Sequence, residues 1–217
     1  MKVIIPCAGL GTRRYPESKD VPKVLLDFQE RPIIDWIIES VLSIDSYARF
    51  IFVLNIEHRH KIISHLKSYA GATRIDYCYQ LEPLGFGHAV LQAKDLVGGS
   101  PVLVHACDKI LDFDGFDMRG SWMAIEAIEP PLKRSTLKVA HGVVTQIIEK
   151  PNLSWNAVCY IRESNQLFYA LERLVEYDRR TAGEFQMTDA LQSLVHDGAL
   201  IKAANFKTIY TESGGTN

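Results

Sequence analysis

The chain predicts an α/β fold with a mainly parallel central sheet flanked by helices. Three observations carry that expectation. Apolar runs of strand length at residues 3–6, 50–54 and 102–106 show no polar alternation, the pattern of strands buried on both faces. Amphipathic stretches of helical length lie between such runs, which is the order of a layered strand–helix repeat. The first run breaks into a glycine-rich loop, Cys7-Ala8-Gly9-Leu10-Gly11-Thr12-Arg13, instead of entering a helix directly.

Each element follows from local pattern. Residues 32–43 place Ile33, Ile34, Ile37, Ile38, Val41 and Leu42 on one helical face. Residues 58–69 read as a helix carrying Ile62, Ile63 and Leu66, and residues 76–80 as a strand. A helix opened by glycines spans 87–96. Right-handed crossovers should join these parallel strands. After about residue 110 the pattern shifts to shorter strands, at 123–128, 137–139, 143–148 and 157–161. Helices at 165–177 and 186–196 and closing strands at 201–206 and 208–210 complete it. The chain shows no long linker or internal repeat. The expectation is one domain over 1–217, with a nucleotide-binding half at 1–110 and a second half at 111–217 completing a cleft.

Composition narrows the function classes. Hydrophobic residues are 47% and charged residues 23% of the 217, an ordinary globular balance. A net charge of -2 gives no support for a nucleic-acid surface. No apolar stretch approaches the roughly 20 residues that span a bilayer, and the first run is too short for a secretion signal. Four scattered cysteines, Cys7, Cys78, Cys107 and Cys159, have neither zinc nor CxxC spacing. They read as small buried thiols, and the location expected is cytoplasmic, with no nucleic-acid or membrane partner.

The chemistry-bearing residues form four groups. Gly9 and Gly11 let backbone amides approach an anion, and Thr12, Arg13 and Lys23 add a hydroxyl and two cations. A Gly-x-Gly alone is as often a tight turn; the fixed cations point it toward phosphate, with Arg13 as a rigid fork and Lys23 as a movable charge. Arg14 reads as a solvated side chain. Gln80, ending a strand, has an amide suited to a base edge, and Gly85 and Gly87 bring backbone close. His88, just inside a helix, reads as structural. Asp108 follows the run at 102–106, where open α/β sheets bind ligands, and is placed to hold Mg²⁺ against a phosphate; a turn-capping role is the plain alternative. Asp112, Asp114 and Asp117 read as a solvated acidic loop. Glu149-Lys150-Pro151 pairs an acid and a base at a strand end, a common surface arrangement that also suits sugar hydroxyls and phosphate.

Taken together these motifs resemble the sugar-1-phosphate nucleotidylyltransferases, a family with a Rossmann-like, glycosyltransferase-A-like fold. The resemblance runs through Gly9 to Arg13, Pro22-Lys23, and Gln80 with Pro83-Leu84-Gly85-Phe86-Gly87-His88-Ala89-Val90. The last of these is similar to the bacterial UTP–glucose-1-phosphate uridylyltransferases in particular. It continues through Asp108, Gly142-Val143-Val144, Glu149-Lys150-Pro151 and Gly183-Glu184-Phe185-Gln186-Met187-Thr188-Asp189-Ala190.

The resemblance implies transfer of a nucleotidyl group from a nucleoside triphosphate, favouring UTP, to a sugar 1-phosphate, favouring glucose 1-phosphate, with Mg²⁺ as cofactor. It implies catalytic roles for Arg13 and Lys23, and nucleotide contacts from Ala8, Gly9, Gly11, Thr12, Gln80 and Gly85. Sugar-phosphate contacts fall to Gly142, Glu149, Lys150 and Glu184, and metal binding to Asp108. The chain departs from the pattern at three places. Cys107 stands where a glycine is expected, the chain is short, and Ser213 occupies the place of a second metal aspartate, with Glu212 beside it. A sugar-nucleotide-binding domain with weak or no catalysis, and a cytidylyltransferase for an alcohol phosphate, therefore stay open, as does a homo-oligomer.

Overall fold

The first strand shows why helices must cover both faces of the sheet. In the computed structural model, which describes residues 1–9, 20–127, 135–149 and 153–211, β1 (Lys2–Cys7) buries Val3, Ile4 and Ile5 completely. Successive side chains leave a strand on opposite sides, so Val3 and Ile5 enter one core and Ile4 the other.

Along the chain, a small hairpin follows β1, formed by β2 (Asp27–Phe28) and β3 (Arg31–Pro32), and leads into α1 (Ile33–Leu42). Next come β4 (Arg49–Leu54), α2 (Arg59–Leu66) and β5 (Arg74–Tyr79). Then α3 (Phe86–Leu91), α4 (Lys94–Val97), β6 (Val102–His105) and β7 (Lys109–Asp112) finish the first half. The second half contains β8 (Ser121–Ala127), β9 (Ser135–Ala140), β10 (Val143–Glu149) and β11 (Leu153–Ile161). It ends with α5 (Ser164–Glu176), α6 (Met187–His196), β12 (Ile201–Asn205) and β13 (Lys207–Thr211).

Among the described residues the main sheet has nine strands in the order β5-β4-β1-β6-β11-β8-β12-β10-β9. The N-terminal quartet is parallel: β1, β4 and β6 are the buried apolar runs, and β5 is a partly buried edge strand. From β11 onward the pairing is mixed: β11 runs antiparallel to β6 and β8, while β12 is parallel to β8. One core packs Val3, Ile5, Phe50, Phe52 and Leu103 against Ile33, Ile34, Ile37 and Ile38 of α1. The other packs Ile4, Ile51, Val53 and Val104 against α3, α5 and α6, through residues such as Val90, Phe168, Leu171 and Leu191. No described helix is long and apolar enough to cross a bilayer.

Three elements depart from the sequence reading. The span 87–96 is two helices, because the Gln92 and Ala93 amides bond three residues back, to Ala89 and Val90, and tighten the end of α3. The β2–β3 hairpin turns through Gln29 (φ 49°) and Glu30 (φ 63°), so it lacks the glycine or asparagine that signals such a turn. Lys109–Asp112 is a strand, paired antiparallel with β13. Asp112, expected in the acidic loop, ends this strand opposite Lys207, while Asp114 and Asp117 lie in the surface loop after it; the Asp112 carboxylate accepts the Asp114 amide and Asp117 pairs with Arg119.

Candidate active site

The carboxyl ends of β1, β5 and β6 converge on one cavity of about 490 Å³. Its lining includes Ala8 and Gly9 after β1, Gln80 and Gly85 after β5, and Cys107 and Asp108 after β6. Lys23, Phe86, Ala157 and Glu184 complete the wall. This is the crevice at strand ends where open parallel sheets accept ligands.

Lys23 reaches Asp108 across the cavity floor: its Nζ donates to Asp108 Oδ2 at 3.3 Å. The two lie 85 residues apart in sequence, so the fold and not the local chain unites them. Val24, 1% exposed, roots the turn at Lys23–Leu25 in the core, with Lys23 beside it lining the cavity. With side chains 22% and 30% exposed, the pair is partly screened and contributes at most about 1 kcal/mol to stability. The pair thus leaves both charged groups on the wall of the cavity while adding little to the fold.

A residue that the sequence reading missed holds the start of the glycine loop. Asn55, buried beyond the end of β4, donates Nδ2 to the Ala8 carbonyl at 3.0 Å and accepts the His58 amide at 2.7 Å. Its signal was a polar side chain directly after a buried strand. Gly11, Thr12, Arg13 and Arg14 lie outside the described residues, as do Lys150, Glu212 and Ser213. Glu149 ends β10, and its side chain also lies outside the description.

Gln80 and Gly85 sit together, but through each other. Gln80, 5% exposed, donates Nε2 to the Gly85 carbonyl at 3.0 Å and meets His88 Nδ1 at 2.9 Å. The Gly85 carbonyl only accepts, which identifies the contacting atom as the amide nitrogen. The other ring nitrogen of His88, Nε2, meets Gln92 Nε2 at 3.2 Å, so the ring is held between two glutamine amides. Burial lowers the His88 pKa and favours the neutral ring, in keeping with a structural role.

The glycines here make room for backbone. Gly85 has φ +107°, and a Cβ on it would lie 2.7 Å from Glu184 Cβ; one on Gly87 would lie 2.7 Å from the Phe185 carbonyl oxygen. The two segments are laced together, with Phe185 N bonded to Leu84 O at 2.8 Å and Gly87 N to Phe185 O at 2.9 Å. Glu184 reaches the cavity wall from a tight turn, Thr181 to Glu184, through Ala182 (φ 53°) and Gly183 (φ 83°). Gly87→Ala must push two hydrogen-bonded backbones apart. It is expected to destabilise the fold by about 2 kcal/mol, read as a lowered urea midpoint at unchanged slope.

Beneath the floor lies His105, fully buried on β6. Its Nδ1–H donates to the Ala106 carbonyl at 2.8 Å, and its Nε2 has no partner among the described residues. Burial pushes its pKa from 6.5 down to about 4. Between those values the unfolded chain takes up a proton that the folded chain refuses. Stability is therefore complete above pH 6.5 and falls as pH drops toward 4, by about 3 kcal/mol in all. Urea unfolding of wild type and His105→Phe from pH 7 to pH 4 checks this: the variant is expected to lose that part of the slope.

On the opposite side, β11 breaks register between Trp155 and Cys159. Ala157 there takes φ 55°, rare without glycine, and its carbonyl accepts the Ala106 amide at 3.1 Å. The bulge thus fixes the backbone two residues before Asp108. Gly142 lies elsewhere: it sits in the β9–β10 turn with φ +76°, its carbonyl accepts the Ala203 amide at 2.9 Å, and it is not among the cavity's lining residues. A larger concavity of about 780 Å³ opens between α5 and α6, lined by Arg173, Arg179, Arg180, Asp178, Asp189 and Asp197 among others. It lies off the strand ends, and its charges balance.

The comparisons agree with this geometry. A family model described as nucleotidyl transferase matches residues 2–121. The UTP–glucose-1-phosphate uridylyltransferase YngB of Bacillus subtilis is 34% identical over 240 residues, covering 89% of this chain and 78% of that protein. The bifunctional protein GlmU of Methanococcus maripaludis is 31% identical over 215 residues, covering 92% of this chain and 48% of that protein. The chain thus spans about half the length of the first curated relatives it matches. Among solved structures, an apo UDP-glucose pyrophosphorylase superposes with a TM-score of 0.79 at 22% identity, covering 99% of this chain and 93% of the other. UDP-glucose pyrophosphorylase from Acinetobacter baumannii gives 0.76 at 22% identity, covering 99% and 88%. The parallel quartet, the cavity at its carboxyl ends and these matches make the chain a member of the nucleotidyl transferase family.

Proposed function

We propose that the chain transfers a uridylyl group from UTP to a sugar 1-phosphate, with glucose 1-phosphate the favoured acceptor, and releases pyrophosphate. The observation that carries this reading is the Lys23–Asp108 pair at 3.3 Å, set beside Ala8 and Gly9 in the cavity that Gln80 and Gly85 also line. Relatives named as a uridylyltransferase and a nucleotidyltransferase support it.

A sugar phosphate oxygen attacks the α-phosphorus, and the bond from that phosphorus to the pyrophosphate oxygen breaks. The nucleophile is already an anion, so the protein's task is placement and charge neutralisation. Lys23 steadies the charge that builds on the α-phosphate. Arg13, with the amides of residues 9–12, holds the β and γ phosphates. Glu184, on the cavity wall, serves the sugar phosphate together with Glu149 and Lys150, whereas Gly142 in the β9–β10 turn takes no part. The Gln80 amide nitrogen is turned to the Gly85 carbonyl, and its oxygen accepts from the N3–H of uracil; cytosine carries no proton there.

Asp108 fits a hard divalent cation, because it offers carboxylate oxygens to the cavity, and Mg²⁺ is commonly held by one or two carboxylates together with substrate phosphates. Mg²⁺ held by Asp108 would neutralise phosphate charge as pyrophosphate departs. Pyrophosphate release from UTP, CTP, ATP and dTTP, each paired with glucose 1-phosphate, its amino and galacto analogues and phosphocholine, tests the proposal. The expected result is turnover with UTP and a hexose 1-phosphate. UTP binding without turnover would identify a binding module, and a preference for CTP with phosphocholine would identify alcohol-phosphate chemistry.

A further inference from the structure

Asn55 is not among the residues that line the cavity, yet it fixes one peptide of the glycine loop. Its side chain is buried beyond β4 with both ends of the amide in use. Oδ1 accepts the His58 amide at 2.7 Å, which leaves Nδ2 as the atom that donates to the Ala8 carbonyl at 3.0 Å. In a planar trans peptide the carbonyl and the N–H point in opposite directions. Ala8 and Gly9 share such a peptide, so a carbonyl held by Asn55 also fixes where the Gly9 N–H points. The sheet order sets that direction, because β4 lies on one side of β1 and β6 on the other. Asn55 follows β4, and Cys107 and Asp108 follow β6 on the cavity wall. Gly9 is exposed in that cavity, and its N–H donates to no partner among the described residues.

From this geometry we infer that Asn55 is a positioning residue, which aims the Gly9 amide at the β and γ phosphates of the nucleotide. The identity of those phosphates rests on the transfer reaction proposed above. An N–H aimed at a phosphate oxygen makes a charge-assisted hydrogen bond, and one aimed elsewhere makes none. Without Asn55 the Ala8–Gly9 peptide is free to turn over. Glycine accepts either sign of φ, and nothing lies within 4 Å of where a Gly9 Cβ would stand. A peptide turned over brings a carbonyl oxygen to the place of the N–H, and an oxygen repels the phosphates.

Selective ¹⁵N-glycine labelling of the full chain reads this amide directly, with the Gly9 signal identified by its loss in Gly9→Ala. Inorganic pyrophosphate is expected to shift the Gly9 signal of the wild type. In Asn55→Ala that signal is expected to stay in place at saturating pyrophosphate, with affinity by calorimetry lowered about tenfold. UMP, which lacks the two outer phosphates, binds both proteins within about twofold. Gly98 and Gly142, away from the loop, keep their wild-type signals and report an intact fold. Asn55→Asp at pH 8 keeps an acceptor for the His58 amide and removes the donor to Ala8, so it carries the same expectation if the alanine variant does not fold. A wild-type Gly9 signal blind to pyrophosphate, a variant that binds pyrophosphate as tightly as wild type, or equal losses for pyrophosphate and UMP would overturn the assignment. Turnover of UTP is read separately. Turnover with a silent Gly9 removes the role of Asn55 and leaves the reaction standing, while a responding Gly9 without turnover does the reverse.

Discussion

Lys23→Ala is expected to slow nucleotidyl transfer by about 10²-fold or more while leaving the fold intact. The size follows from losing one preorganised charge where negative charge develops, an effect far larger in a walled cavity than in water. The fold survives because Val24, not Lys23, anchors the turn, and because the partly exposed pair with Asp108 adds little stability. Lys23→Arg is expected to recover little, since a planar fork cannot take the place of a compact ammonium 3.3 Å from Asp108. Steady-state pyrophosphate release beside urea unfolding checks both halves. Full activity in Lys23→Ala would remove the lysine from the mechanism.

Asp108→Asn is the second large effect. The amide keeps the shape of the carboxylate, and its oxygen still accepts from Lys23, so any loss is one of charge. A neutral ligand holds Mg²⁺ weakly. The variant is expected to lose about 10²-fold in rate at low Mg²⁺ and to recover part of it as Mg²⁺ rises. A Mg²⁺ titration of the rate in both proteins reads this directly, and superimposable curves would reject the metal role. Stability is expected to change by less than about 1 kcal/mol.

Three strands of the parallel quartet, β1, β4 and β6, were legible because they are buried on both faces and read as unbroken apolar runs at residues 3–6, 50–54 and 102–106, while β5 at the sheet edge is only partly buried. α1 was legible for the same reason in helical period: Ile33, Ile34, Ile37, Ile38 and Val41 are all buried on one face. Lys23 and Asp108 were legible as chemistry, one beside a glycine loop and one at a strand end, although their meeting is a property of topology. Other features left no local trace. The β2–β3 turn uses Gln29 and Glu30 at positive φ, against their preference. The packing of Gly85 and Gly87 against Phe185 joins segments about a hundred residues apart, so both glycines looked like ligand contacts when much of their work is to admit another backbone. The mixed pairing of β8 to β12 was hidden by short strands whose partners no periodicity specifies.

The most direct measurement is a difference map of crystals soaked with UTP and Mg²⁺. Density is expected in the 490 Å³ cavity, with uracil against Gln80 and Gly85 and the phosphates beside Lys23 and Asp108. Density for the nucleotide between α5 and α6, at Arg173 and Arg179, with the strand-end cavity left empty, would contradict it.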